Sequence, residues 1–153
     1  MSSIYLSSQL GTEQNKNQRV HNNIIGGTDY PTATTYTSDD LGNRVTETSP
    51  DKGLTTYNYD PAGNLILRTD SNGNSISSSY DELNRLQSIH YPDASQDTSF
   101  TCDQGTNGTG KLTGVTDSSG GISYQYNIFG QLLSETRVIN TLSFQTSYIY
   151  NQP

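Results

Sequence analysis

Tyr57-Asn58-Tyr59-Asp60-Pro61-Ala62-Gly63-Asn64-Leu65 is the clearest copy of a motif that recurs every 21 residues. One period earlier, Tyr36, Asp39, Gly42 and Asn43 stand where Tyr57, Asp60, Gly63 and Asn64 stand. One period later, Tyr80, Asp81 and Leu86 occupy the places of Tyr59, Asp60 and Leu65. A fixed period near 20 residues marks one supersecondary unit copied along the chain. Such a unit cannot bury its apolar face alone, so neighbouring copies must stack.

Within one period the chemistry is that of strands and turns. Thr55, Tyr57 and Tyr59 fall on one face of an extended segment, Thr56 and Asn58 on the other. Asp60 to Asn64 then spells a turn: the Asp side chain accepts backbone N–H bonds, Pro61 pre-sets its φ, and Gly63 takes positive φ. Leu65 to Thr69 returns as a strand, and Asp70-Ser71-Asn72-Gly73-Asn74 is a second turn of similar chemistry. Two turns of roughly 4–5 residues leave about 6 per strand, a usual length. The Gly and Asp punctuation leaves no room for the apolar spacing of a helix.

Composition agrees. Only 29% of residues are strongly hydrophobic, yet charged residues are just 15% and there are 11 Tyr and 14 Gly. Mean hydropathy is -0.72. Tyr and Thr favour strands, and Gly, Asn and Asp favour turns. The expectation is an all-β chain with a thin core built largely from Tyr rings. Net charge is -7, and the 8 Lys and Arg are scattered, which sets aside nucleic-acid binding. It equally sets aside a polybasic membrane patch. No apolar run approaches the roughly 20 residues that span a bilayer, so no membrane insertion is expected. Met1 to Leu6 has neither the basic segment nor the apolar core of a signal peptide.

The pattern has a beginning and an end. Residues 1–33 read as a polar lead-in or a degenerate repeat, in which Ile24-Ile25-Gly26-Gly27 suggests a strand end and turn. From residue 34 the pattern is regular. Phe100-Thr101-Cys102-Asp103 is a copy with Cys in the Tyr place, followed by a longer loop, Gln104 to Gly110. Tyr124-Gln125-Tyr126-Asn127-Ile128-Phe129-Gly130-Gln131-Leu132 is a further copy with Asn for Asp. Tyr148 begins another, and the chain stops at Pro153 within it, which predicts a piece of a longer array or a truncated gene. Strands are expected near residues 54–59, 65–69, 75–80, 86–90, 111–116, 122–127, 131–138 and 142–150.

These residues resemble the YD repeat, also called the Rhs repeat, with the rough pattern Tyr-x-Tyr-Asp-x-x-Gly-Asn/Arg-Leu and a polar turn ending in Gly. Tyr57 to Gly73 fits closely, and Tyr80 to Leu86 fits with Asn84 in the Gly place. The resemblance covers about residues 34–151 and makes 34–153 a repeat region truncated within its last repeat. It implies antiparallel β-hairpin repeats forming a curved sheet, part of a spiral β-shell. In bacterial secreted or cell-surface proteins of this kind the shell encloses a C-terminal toxin or effector domain; teneurins share the repeat. The implied partners are neighbouring repeats of a longer parent chain and an encapsulated toxin domain, with no cofactor. The signature residues read as structural: Tyr36, Asp39, Gly42, Asn43, Tyr57, Tyr59, Asp60, Gly63, Asn64, Leu65, Gly73, Tyr80, Asp81, Arg85, Leu86, Tyr124, Tyr126, Gly130 and Leu132.

Candidate chemistry is sparse. Gly105 to Gly110 lacks the order of a dinucleotide fingerprint, and a strand follows it where a helix is needed. His21 and His90 stand alone in sequence and read as surface or packing residues, and Cys102 as a small apolar side chain. Asp39, Asp60, Asp70 and Asp81 invite a calcium reading, but the closing Glu of such a loop is missing and a turn role suffices. No carboxylate pair stands apart from the repeat, so no enzyme, metal or cofactor is expected. The alternative is an adhesive module in which exposed Tyr and Asn bind a cell-surface glycan.

Overall fold

The computed structural model describes residues 23–25, 28–30 and 33–151. The strands are β1 (Asn23–Ile25), β2 (Thr28–Tyr30), β3 (Thr35–Ser38), β4 (Arg44–Ser49), β5 (Gly53–Tyr59), β6 (Leu65–Thr69) and β7 (Ser75–Tyr80). They continue as β8 (Leu86–His90), β9 (Thr98–Cys102), β10 (Leu112–Asp117), β11 (Gly120–Tyr126), β12 (Leu132–Ile139) and β13 (Leu142–Ser147). A single 3₁₀ turn at Ala94–Gln96 separates β8 from β9. The fold is all-β and antiparallel, and from β3 to β13 each strand bonds the next one in sequence.

Contacts divide the chain into Met1–Thr56 and Tyr57–Pro153. In the first unit β1 pairs with β2, Asn23 opposite Tyr30. There β3, β4 and β5 form a meander with Thr37 opposite Thr46 and Thr46 opposite Thr56. In the second unit the register gives the two faces different characters, because directly paired residues share a face. Thr101, Gly114, Ser123, Thr136 and Gln145 line up across β9 to β13 on one face. Phe100, Val115, Ile122, Arg137 and Phe144 line up on the other.

Two expectations need correction. The Tyr core is not there: no apolar residue is buried among the described residues, and the buried polar side chains are Thr55, Thr113 and Ser134. The signature Tyr rings are half-buried. A single sheet gives a ring neighbours beside it but none above, so contact stays lateral. Strands are also more numerous than expected: β1, β2, β3, β4 and β9 add to the eight that match, and the last strand stops at Ser147 instead of residue 150. The Tyr148 N–H still donates to the Leu133 carbonyl at 2.8 Å. Ile24-Ile25 does end a strand, while His21 and Gly26-Gly27 lie outside the described residues.

Candidate functional site

The recurring feature is a five-residue turn built around one carboxylate. Asp60 donates its N–H to the Asn64 carbonyl at 3.0 Å and accepts the Gly63 N–H on its own carbonyl at 3.0 Å. Its Oδ1 accepts the N–H groups of Ala62 at 2.9 Å and Asn64 at 2.8 Å, and its Oδ2 accepts the Asn64 amide at 2.9 Å. Gly63 has φ +85. A four-residue turn closed by an i to i+3 bond and ending in a left-handed residue is a common hairpin connection. The carboxylate satisfies backbone donors that the tight turn leaves without strand partners.

The same geometry recurs at Asp39–Asn43 and at Asp70–Asn74. Two variants show which parts matter. At 81–85, Asn84 takes the left-handed place with φ +59, and the Arg85 Nε replaces the amide donor to Asp81 at 2.7 Å. At 127–131 an amide replaces the acid. Asn127 Oδ1 accepts the N–H groups of Phe129 and Gln131, and its own amide donates to Gln131 Oε1 at 2.7 Å. Donor and acceptor are exchanged together, so the pair stays matched.

These donors hold the acids ionised. Asp60 lies below its ordinary value of 3.8 because the Asn64 side chain and then its N–H donate to the carboxylate. The Asn43 and Asn74 side chains lower Asp39 and Asp70 in the same way, and the Arg85 N–H lowers Asp81. Asp103 falls to about 2, first through the Arg85 guanidinium and then through the Gly110 N–H. Arg85 itself is raised by Asp103 and Asp81.

Neighbouring turns are tied across strands. The Asn64 amide donates to Asn84 Oδ1 at 2.9 Å. Arg85 reaches Asp103 with both terminal nitrogens, at 3.0 and 2.5 Å, a fork that suits a carboxylate. Tyr hydroxyls add a second tie. Tyr80 donates to the Leu65 carbonyl at 3.1 Å, Tyr126 to that of Leu112 at 2.7 Å, and Tyr150 to that of Leu132 at 2.9 Å. A Phe at these places would pack as well but leave the carbonyl without that donor. The signature pair thus does two jobs: the Tyr bonds backward across the sheet, and the Asp closes the turn that follows.

Placed on the fold, Tyr36 lies on β3, Tyr57 and Tyr59 on β5, Tyr80 on β7, and Tyr124 and Tyr126 on β11. Asp39, Gly42, Asn43, Asp60, Gly63, Asn64, Gly73, Asp81, Arg85 and Gly130 occupy turns, and Leu65, Leu86 and Leu132 open the strands after them. Asp103 was missed as a partner of Arg85, because 18 residues separate the two and no spacing rule links them. His90 is not isolated either; it contacts Ser88 and Asp97. Among the described residues no three His, Cys, Asp or Glu side chains stand close enough to share a metal ion. The Asp oxygens of the turns accept N–H groups of their own turns. The glycine-rich loop at 105–110 gives its Gly110 N–H to Asp103 at 2.6 Å. No described helix is long and apolar enough to cross a membrane.

Comparison with known proteins agrees with this geometry. The RHS Repeat family model matches residues 39–75, 59–96 and 107–142, together more than half of the chain. No curated protein sequence matches. The fold is similar to part of a chain in the crystal structure of TcdB2-TccC3-TEV, with TM-score 0.57 and 19% identity over 83% of this chain and 7% of that one. It is similar to part of a chain in TcdB2-TccC3-Cdc42, with TM-score 0.57 and 19% identity over 80% of this chain and 6% of that one. With its recurring aspartate turns, and with every signature residue but Tyr36 inside the matched stretches, the chain belongs to the RHS repeat family.

Proposed function

We propose that this chain is a non-catalytic wall segment of a larger secreted or cell-surface protein, whose repeats form a β-shell around a C-terminal toxin or effector domain. Residues 34–153 would be the repeat region and 1–33 a lead-in or decayed repeat. The observation that carries the reading is the turn itself: five copies lock successive hairpins with the same hydrogen bonds. Such a sheet extends by addition of strands without a second layer, as a wall must. The contrast between its Ser/Thr/Gly face and its Phe/Val/Ile face suits a wall with two different sides.

Protease protection tests this on the full gene product. A C-terminal segment that resists digestion while the repeats are intact, and is cut once they are unfolded, supports the shell. A C-terminal segment cut at the same rate in both states contradicts it. The glycan-binding alternative ranks second, because the Tyr80, Tyr126 and Tyr150 hydroxyls it would use are spent on backbone carbonyls. Saturable binding on a glycan array would restore it.

A further inference from the structure

On the Ser/Thr face near β8, three side chains form a hydrogen-bonded chain. Ser88 Oγ lies 3.2 Å from His90 Nε2, and His90 Nδ1 lies 2.8 Å from Asp97 Oδ2. Ser88 and His90 share a face because they are two apart on one strand. Asp97 arrives from the connection after the 3₁₀ turn, and its other oxygen accepts the Tyr91 N–H at 2.9 Å. The connection is itself anchored. Asp93 caps the Ser95 N–H at 3.0 Å, and the Ser118 hydroxyl donates to the Ser95 carbonyl at 2.5 Å.

We propose that Ser88 is an activated nucleophile and a site of covalent acylation by activated acyl donors. Asp97, ionised and facing Nδ1, favours the tautomer with the proton on Nδ1, which leaves Nε2 free to accept the Ser88 proton. The Ser79 hydroxyl, 2.7 Å from Ser88 Oγ, holds the nucleophile from the neighbouring strand. Asp97 is a positioning residue and His90 the base.

The step balances without any co-reactant. Ser88 Oγ attacks the carbonyl carbon of an activated ester, and its proton passes to His90 Nε2. The bond from that carbon to the leaving oxygen breaks, and the leaving group takes the proton from Nε2. The products are acyl-Ser88, a free phenol or alcohol and neutral His90. Strand β8 is paired on both sides, so its backbone is engaged in ladders and offers no ready pair of N–H groups for an oxyanion. Reaction is therefore confined to donors with good leaving groups and stops at the stoichiometric adduct. This goes beyond the wall role, and its failure would leave that role untouched.

The test uses a fluorophosphonate probe, in which fluoride leaves from phosphorus in place of a phenol. The full chain is incubated with the probe and mapped by mass spectrometry. A single adduct on Ser88 is expected, absent in Ser88→Ala. Labelling should be slower by about 100-fold in His90→Gln, the low end for a general base, and slower also in Asp97→Asn, with unchanged circular dichroism. Nitrogen-15 spectra of His90 give a second readout that needs no variant of Ser88. Nδ1 should be protonated and Nε2 bare, and Asp97→Asn should shift that balance. Adducts spread over many serines, no adduct at Ser88, equal rates in His90→Gln, or a proton on Nε2 of the native chain would each overturn the proposal.

Discussion

The turn at Asp60–Asn64 and the loop at Asp103–Lys111 close the same kind of hairpin, yet they are held together differently. In each the aspartate N–H donates to the carbonyl of the closing residue, at 3.0 Å in the short turn and 3.1 Å in the long loop. The short turn fills its carboxylate from within, through Ala62 and Asn64. The long loop has more backbone between its ends, and its carboxylate takes one N–H from Gly110 and a guanidinium fork from Arg85 in the preceding copy. A repeat therefore tolerates extra residues in a turn if a neighbour supplies the missing donors. Short turns fill their own carboxylates; the carboxylate of the expanded loop draws on the array.

Glycine substitutions should separate the two most sharply. A Cβ at Gly108 would sit 2.0 Å from the Gln104 carbonyl oxygen, a backbone atom with little freedom to move. Gly108→Ala should cost about 3 kcal/mol or more, as severe backbone conflicts do, read from urea midpoints. At Gly63 a Cβ meets nothing within 4 Å, so only the φ of +85 opposes it. Gly63→Ala should then cost about 1 kcal/mol. Equal losses at the two positions would erase the distinction.

The Tyr bonds probe what the two regions share. Tyr80 ties the strand after a short turn and Tyr126 the strand after the long loop, each through one hydroxyl. Tyr80→Phe and Tyr126→Phe should each cost about 0.5–1 kcal/mol, the net value of one hydrogen bond. A loss confined to Tyr126 would mean that the long loop governs that bond too.

Acid should report on the long loop in particular. Asp103 titrates near 2 when folded against an ordinary 3.8. A carboxyl lowered on folding stabilises the native state above its unfolded pKa and loses that contribution as pH falls through the folded one. Native stability should thus decline from about pH 4 to pH 2. Arg85→Gln removes the first cause of the shift, so the gap between native protein and variant should shrink across that window. A gap that is constant with pH would deny the fork its part in stability.

The sequence was most legible where the physics is local. Asp60, Gly63 and Asn64 lie within five residues, and turn chemistry alone specifies their bonds. Asn84 in the Gly place was legible for the same reason, and it does hold φ +59. Strands β3 and β4 were harder, because Thr35–Ser38 and Arg44–Ser49 are nearly all polar and offer no apolar alternation. The expected Tyr core failed because ring burial depends on a second layer that repeat spacing does not encode. Bonds spanning 14 to 18 residues, from Tyr126 back to Leu112 or from Arg85 forward to Asp103, depend on register, which only the assembled sheet fixes. The Ser88–His90–Asp97 chain was hidden likewise, since a 3₁₀ turn stands between its members.

Amide hydrogen exchange in Arg85→Ala tests most directly whether short turns stand alone while the long loop depends on its neighbour. Two N–H groups decide it: Asn64, bound to Asp60 within its own turn, and Gly110, bound to the Asp103 that Arg85 clamps. Loss of the clamp should speed exchange at Gly110 by about 10-fold, the equivalent of 1.4 kcal/mol, and leave Asn64 at its native rate. Equal acceleration at both, or no change at Gly110, would contradict the account.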